Sequence, residues 1–167
     1  MKLCVLGAGA WGTALAVAYA AEHEVRLWTR DALQAAELRA THANERFLPG
    51  IALPPDIAVF DDIRAALDGC DLALVATPIV GLRTTLEAVA RSDAPAVLWA
   101  CKGFEQGSGL LPHQVAREVL PPDLPHGAFS GPSFAIEVAR GLPTAITVAS
   151  GDLSFASSIV ATLHSRR

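Results

Sequence analysis

Gly7-Ala8-Gly9-Ala10-Trp11-Gly12 spells G-x-G-x-x-G immediately after a short apolar run, Lys2 to Leu6. In such a turn the first glycine bends the chain tightly, the second lets backbone approach a pyrophosphate, and the third lets the following helix pack closely on the strand. Free amides at that helix's N-terminus supply a positive end for the diphosphate. The chemistry implied is dinucleotide binding; the bare alternative is three packing glycines. An acid for the adenosine ribose is expected about 20 residues further on, and Trp28-Thr29-Arg30-Asp31 stands there. Arg30 has the chemistry to pair with a 2′-phosphate or to stack on adenine. Asp31 either takes a ribose hydroxyl or caps a helix beginning at Ala32, and the cap is the favoured role. NADP is therefore expected to be accepted, with NAD left open.

Only Lys2 and Lys102 are lysines among 13 Lys and Arg residues. Lys102, in Trp99-Ala100-Cys101-Lys102-Gly103, falls at the carboxyl end of an apolar run, where open α/β sheets bind ligands. A compact ammonium there can hold a substrate oxygen or phosphate; the plain alternative is a solvated strand-end charge. Ser130-Gly131-Pro132-Ser133-Phe134 reads as a strand end, a tight glycine and a helix started by Pro132 at its first position. That predicts a second anion site made of the Ser133 and Phe134 amides and the Ser133 hydroxyl, although such a motif alone is more often an ordinary helix start. None of the five histidines stands at metal-ligand spacing from a cysteine or another histidine, so no metal is expected. Cys4, Cys70 and Cys101 are odd in number and far apart, which argues against a disulfide framework and for a reducing cytoplasm.

These residues need elements to position them. Strand-like runs at Lys2–Leu6, Glu24–Trp28, Leu72–Ala76, Ala96–Cys101, Ala128–Ser130 and Thr144–Ala149 alternate with helical patterns after the glycine turn to about Ala21, at Ile79–Ala90, Leu111–Leu120 and Leu153–His164. Continuous apolar strands indicate burial on both faces, so the expected architecture is a mostly parallel, doubly wound sheet with flanking helices, of Rossmann type. Thr41 to Pro55, with three prolines and a glycine, reads as a long loop. The length of 167 residues suits about one domain, and 51% hydrophobic with 18% charged residues excludes disorder. A net charge of −4 offers no footprint for nucleic acid or an anionic membrane. The N-terminal stretch superficially resembles a signal peptide, but three glycines interrupt it. No run reaches the ~18 apolar residues of a spanning helix.

In this order the motifs GAGAWGTALA, LWTRD, NERFLPGIALP, WACKGFE and SGPSFAIEVARGLPTAI resemble NAD(P)-dependent glycerol-3-phosphate dehydrogenase over almost the whole chain. The last two are much more specific than the glycine fingerprint. The resemblance implies an NADP- or NAD-dependent oxidoreductase that interconverts sn-glycerol 3-phosphate and dihydroxyacetone phosphate, a precursor step for glycerophospholipids. By resemblance Ala10, Trp11 and Arg30 contact the dinucleotide, Phe47 lies beside it, and Lys102 touches both cofactor and glycerol phosphate. Gly131 and Ser133 meet the substrate and Ala135 the cofactor. It also implies a helical C-terminal domain carrying the catalytic lysine, which these residues do not contain, so none of them is assigned as general acid or base. Residues 1–167 are then a cofactor-binding domain, inactive alone and dimeric only with that further domain, and Ser165-Arg166-Arg167 reads as a truncation. Two other readings stand beside this one: a cofactor-binding module without catalysis, or another oxidoreductase of the 6-phosphogluconate-dehydrogenase-like group.

Overall fold

Leu3 and Val5 of the first strand belong to one hydrophobic core, Cys4 and Leu6 to another. Successive strand side chains point to opposite faces, so a strand apolar at every position is covered on both sides. A computed structural model describes residues 1–164. Its elements run β1 (Lys2–Leu6), α1 (Ala10–Tyr19), β2 (Glu24–Trp28), α2 (Ala32–Thr41), β3 (Ala58–Phe60), α3 (Ile63–Leu67), β4 (Leu72–Val75), α4 (Leu82–Ala90), β5 (Val97–Trp99), α5 (Pro112–Val119), β6 (His126–Ser130), α6 (Ala135–Ala139), β7 (Thr147–Ala149) and α7 (Leu153–Leu163).

The seven strands form one sheet in the order β3-β2-β1-β4-β5-β6-β7, parallel except for the antiparallel β6–β7 pair. Leu15 of α1, Leu38 of α2, Val138 of α6 and Leu163 of α7 join the first core. Leu67 of α3, Leu86 of α4 and Val115 of α5 join the second. This is the doubly wound arrangement expected. Chain order reverses at β1, and the crevice at such a switch point, beyond the carboxyl ends of the strands, is where these sheets bind ligands. Leu6 pairs in register with both Trp28 and Val75, Val75 with Trp99, and Trp99 with Ala128. The turns after five parallel strands therefore emerge along a common edge.

Several expectations need correcting. β3 and α3 are additional to the expected elements: β3 is a three-residue strand at the sheet edge with no fully buried position, and Asp62 caps α3 by accepting a hydrogen bond from the Arg64 amide. The pattern Ile79–Ala90 divides into a 3₁₀ turn at Ile79–Gly81 and α4. The run Thr144–Ala149 shortens to β7, because only Thr147–Ala149 pairs with β6. Pro132 does not start a helix: α6 begins at Ala135 after Phe134 and lasts five residues. The Thr41–Pro55 segment is not slack, since an Ala43–Ala52 bridge closes it and Asn44, Leu48 and Leu53 are buried in it. Among the described residues no helix is long and apolar enough to cross a membrane. Ser165, Arg166 and Arg167 lie outside the described residues.

Candidate dinucleotide site

The glycine turn joins β1 to α1 at the switch point. Gly7 has φ +125°, a backbone conformation that side-chain-bearing residues rarely adopt, and an added Cβ would also lie 2.9 Å from the Ala76 carbonyl. Its amide donates to the Trp28 carbonyl at 2.9 Å. A Cβ on Gly12 would collide with the Gly7 carbonyl oxygen, so the third glycine lets α1 sit directly against the turn. Gly9 differs from both. It has ordinary extended backbone, and a Cβ there would enter open space. No side chain caps α1 and its first turn carries no acid, so the Ala10 and Trp11 amides have no intrahelical acceptor and face outward. A cradle bare of side chains, ringed by free amides, fits a diphosphate. Just after β4, the buried Thr77 hydroxyl has no hydrogen-bond partner among the described residues.

What holds this turn was not legible as a motif. Gln34 of α2 donates from Nε2 to the Ala8 carbonyl at 2.8 Å, and Asn44 donates from Nδ2 to the same oxygen at 3.0 Å. The same Asn44 amide donates to Thr13 Oγ1 of α1 at 2.6 Å. Thr29 Oγ1 donates to Gln34 Oε1 at 2.6 Å, which fixes the orientation of the Gln34 amide. Thr13, Thr29 and Asn44 are at most 5% exposed, and with Thr85 they make up the buried polar residues among those described. Buried polar groups are retained where their hydrogen bonds are satisfied, and here three of four converge on the glycine turn. The sequence held one usable signal, an Asn isolated inside the proline-rich loop.

Asp31 caps α2, accepting from the Leu33 amide at 3.0 Å and the Gln34 amide at 3.3 Å. The capping role is therefore the one observed. Arg30 is exposed and lines a cleft of about 730 Å³ together with Trp28, Ile63, Arg64 and Thr84. Phe47, 39% exposed, stands in the proline-rich loop with the Arg46 guanidinium 4.9 Å from its ring centre.

Lys102 and Gly131 each lie three residues past a position of the registered Trp99–Ala128 pair, so they leave neighbouring strands at the same height. Lys102 is exposed, and among the described residues no ion pair or hydrogen bond engages its ammonium. Burial pushes the adjacent Cys101 thiol up to about 11, which keeps it protonated and unreactive at neutral pH. Gly131 is required by packing, because a Cβ would collide with the Ala145 carbonyl. Ser133 is partly buried and its hydroxyl lies 3.5 Å from that same carbonyl. With α6 beginning only at Ala135, the Ser133 and Phe134 amides stand in the turn before the helix rather than at the expected helix start on Pro132. Ala135, the first residue of α6, packs beside the first core, where α6 meets α1. Phe47, Phe104 and Phe134 leave apolar surface on loops of this edge.

Sheet order, switch-point crevice and bare glycine cradle define a nucleotide-binding α/β domain of Rossmann type. Residues 2–156 match the family model described as the N-terminus of NAD-dependent glycerol-3-phosphate dehydrogenase, and the chain belongs to that family. A glycerol-3-phosphate dehydrogenase [NAD(P)+] of Dechloromonas aromatica is 51% identical over 168 residues, covering all of this chain and 51% of that protein. One of Thiobacillus denitrificans is 49% identical with the same coverage. The chain thus spans about half the length of the curated relatives it matches. The crystal structure of a Coxiella burnetii glycerol-3-phosphate dehydrogenase superposes with a TM-score of 0.89 at 34% identity, over 99% of this chain and 51% of that one. A ketopantoate reductase from Ralstonia eutropha, at 18% identity and a TM-score of 0.63, shares the fold.

Proposed function

We propose that these residues form the cofactor-binding half of an enzyme that interconverts sn-glycerol 3-phosphate and dihydroxyacetone phosphate, feeding glycerophospholipid synthesis. The observation that carries the cofactor reading is the contrast among the three glycines: Gly7 and Gly12 are demanded by protein packing, whereas Gly9 faces empty space. No neighbouring atom among the described residues demands a glycine at position 9, and close approach of a pyrophosphate to the backbone does. When bound, the nicotinamide supplies or accepts the hydride, and the protein supplies position and electrostatics. In this reading the Ala10 and Trp11 amides hold the diphosphate, Arg30 meets the adenosine end and Phe47 borders it. The Lys102 ammonium, unpaired at the sheet edge, holds cofactor and the substrate's oxygens. Gly131 and Ser133 contribute backbone and hydroxyl to the substrate, and Ala135 lies against the cofactor.

The proton-transfer residue belongs, in this reading, to the half of the relatives that lies beyond the matched region. Residues 1–167 alone should then bind cofactor without turning it over. The partner is a small molecule in the cytoplasm, with no role for nucleic acid or membrane, and any dimer would need the further half. The test is Gly9→Val, with NADPH titrated into both proteins calorimetrically. The variant should keep its melting temperature and lose affinity by more than about tenfold, a loss of over 1.4 kcal/mol. Equal affinities would remove the basis for the site. Oxidation of NADPH by dihydroxyacetone phosphate on residues 1–167 would move the chemistry into this half.

A further inference from the structure

Lys102 carries the proposed contact to cofactor and substrate, yet nothing in its own side chain fixes where it sits. Its loop enters from β5 through the Ala100 amide, which donates to the Val75 carbonyl at 2.8 Å. Gly103 follows with φ +101°, a bend only glycine makes comfortably. The loop becomes fixed again at Glu105, whose amide donates to the Leu110 carbonyl at 2.8 Å and whose carbonyl accepts from the Gly109 amide at 2.9 Å. Lys102 is therefore carried on a short tip between two fixed points.

The second fixed point is held from outside the loop. Arg83 of α4 donates from Nε to Glu105 Oε1 and from its terminal nitrogen to Glu105 Oε2, both at 2.8 Å, a bidentate fork. The same terminal nitrogen reaches Glu118 Oε2 of α5 at 2.7 Å, and Ser108 Oγ donates to Glu105 Oε2. The Glu105 side chain is only 13% exposed. One guanidinium thus ties α4, α5 and the Lys102 loop together. Glu105 already has its positive partner, so its charge is not spent on Lys102 and leaves that ammonium free for a ligand.

We infer that Arg83 is a positioning residue for Lys102, acting through Glu105 to set the height and direction at which the ammonium meets its ligand. The inference rests on the proposed role of Lys102 itself. A double-mutant cycle on the 167-residue chain tests it, with NADPH binding read from nicotinamide fluorescence and folding from thermal melts. Arg83→Ala and Lys102→Ala should each weaken NADPH about tenfold, the scale of a lost charge-assisted hydrogen bond. In the Lys102→Ala background, Arg83→Ala should have no further effect, a coupling that a general structural role would not produce. Arg83→Lys should recover part of the loss. If Arg83→Ala fails to fold, the near-isosteric Glu105→Gln takes its place in the same cycle.

Equal losses in both backgrounds would overturn the inference and leave the Lys102 reading intact. Unchanged affinity in Arg83→Ala alongside a loss in Lys102→Ala would do the same. Unchanged affinity in Lys102→Ala would overturn the role of Lys102, and the positioning role with it.

Discussion

Two turns at the same sheet edge are anchored by opposite chemistry. The glycine turn is pinned by neutral amides and hydroxyls: buried Asn44 and Thr13, and half-buried Gln34. The Lys102 loop is pinned near the surface by a guanidinium shared between two carboxylates. The difference suits the role proposed for each turn. A cradle for a diphosphate needs amide geometry independent of pH and salt, which buried neutral hydrogen bonds provide, since breaking them strands polar groups away from water. A loop that presents a cation needs its neighbouring carboxylate neutralised, which a guanidinium does.

The harshest way to break the glycine turn is Gly12→Ala. The new methyl cannot avoid the Gly7 carbonyl, so helix and turn must separate. Overpacking of this kind costs about 3 kcal/mol, which corresponds to a melting temperature lower by about 6 to 12 °C for a domain of this size. A thermal melt within a degree of the parent would mean that α1 does not press on the turn as described.

Asn44→Leu removes the clamp while leaving Gln34 in place. The Thr13 hydroxyl loses its donor inside the core, and a stranded buried group costs about 1 to 3 kcal/mol. NADPH affinity should fall with it, because Ala8 precedes the cradle residue Gly9. Stability lost with affinity untouched would show that the clamp serves the fold alone.

Acid separates the two anchors without mutation. The Arg83 guanidinium, helped by Ser108, holds the Glu105 carboxyl down to about 2 from its ordinary 4.5. A depressed carboxylate stabilises the folded loop fully above its ordinary value and loses that contribution as pH falls toward the folded one. Hydrogen exchange at the Gly109 amide should therefore speed up relative to the intrinsic rate between about pH 4.5 and pH 2. The Gly7 amide, with no titrating group in its network, should keep its protection across that window. Parallel changes at both amides would erase the contrast.

The smallest effect concerns specificity. Arg30→Ala should weaken NADPH more than NADH, by about 1.5 kcal/mol if the guanidinium meets a 2′-phosphate with one charge-assisted hydrogen bond. Equal weakening of both cofactors, measured in one titration series, would make Arg30 a stacking residue.

The sequence alone determined those parts whose signals are short. β1, the glycine turn, β2 and the Asp31 cap were legible because each depends on residues within a turn of one another. Continuous apolar runs identify a two-sided sheet, since burial on both faces leaves no polar positions. β3 and α3 are not legible in the same way, because β3 is a three-residue edge strand with no fully buried position and α3 is only five residues long. Pro132 does not settle the helix start because its fixed φ suits a loop as well, and the helix begins three residues later at Ala135. The clamp of Asn44 on Ala8 spans 36 residues and the fork of Arg83 on Glu105 spans 22. No local spacing rule foretells such pairs, because they exist only after the sheet has brought the turns of distant strands to one edge. Residue chemistry at the site was therefore fixed by type and neighbours, whereas its support was decided by tertiary packing, the one level at which distant polar groups must find each other or remain unsatisfied.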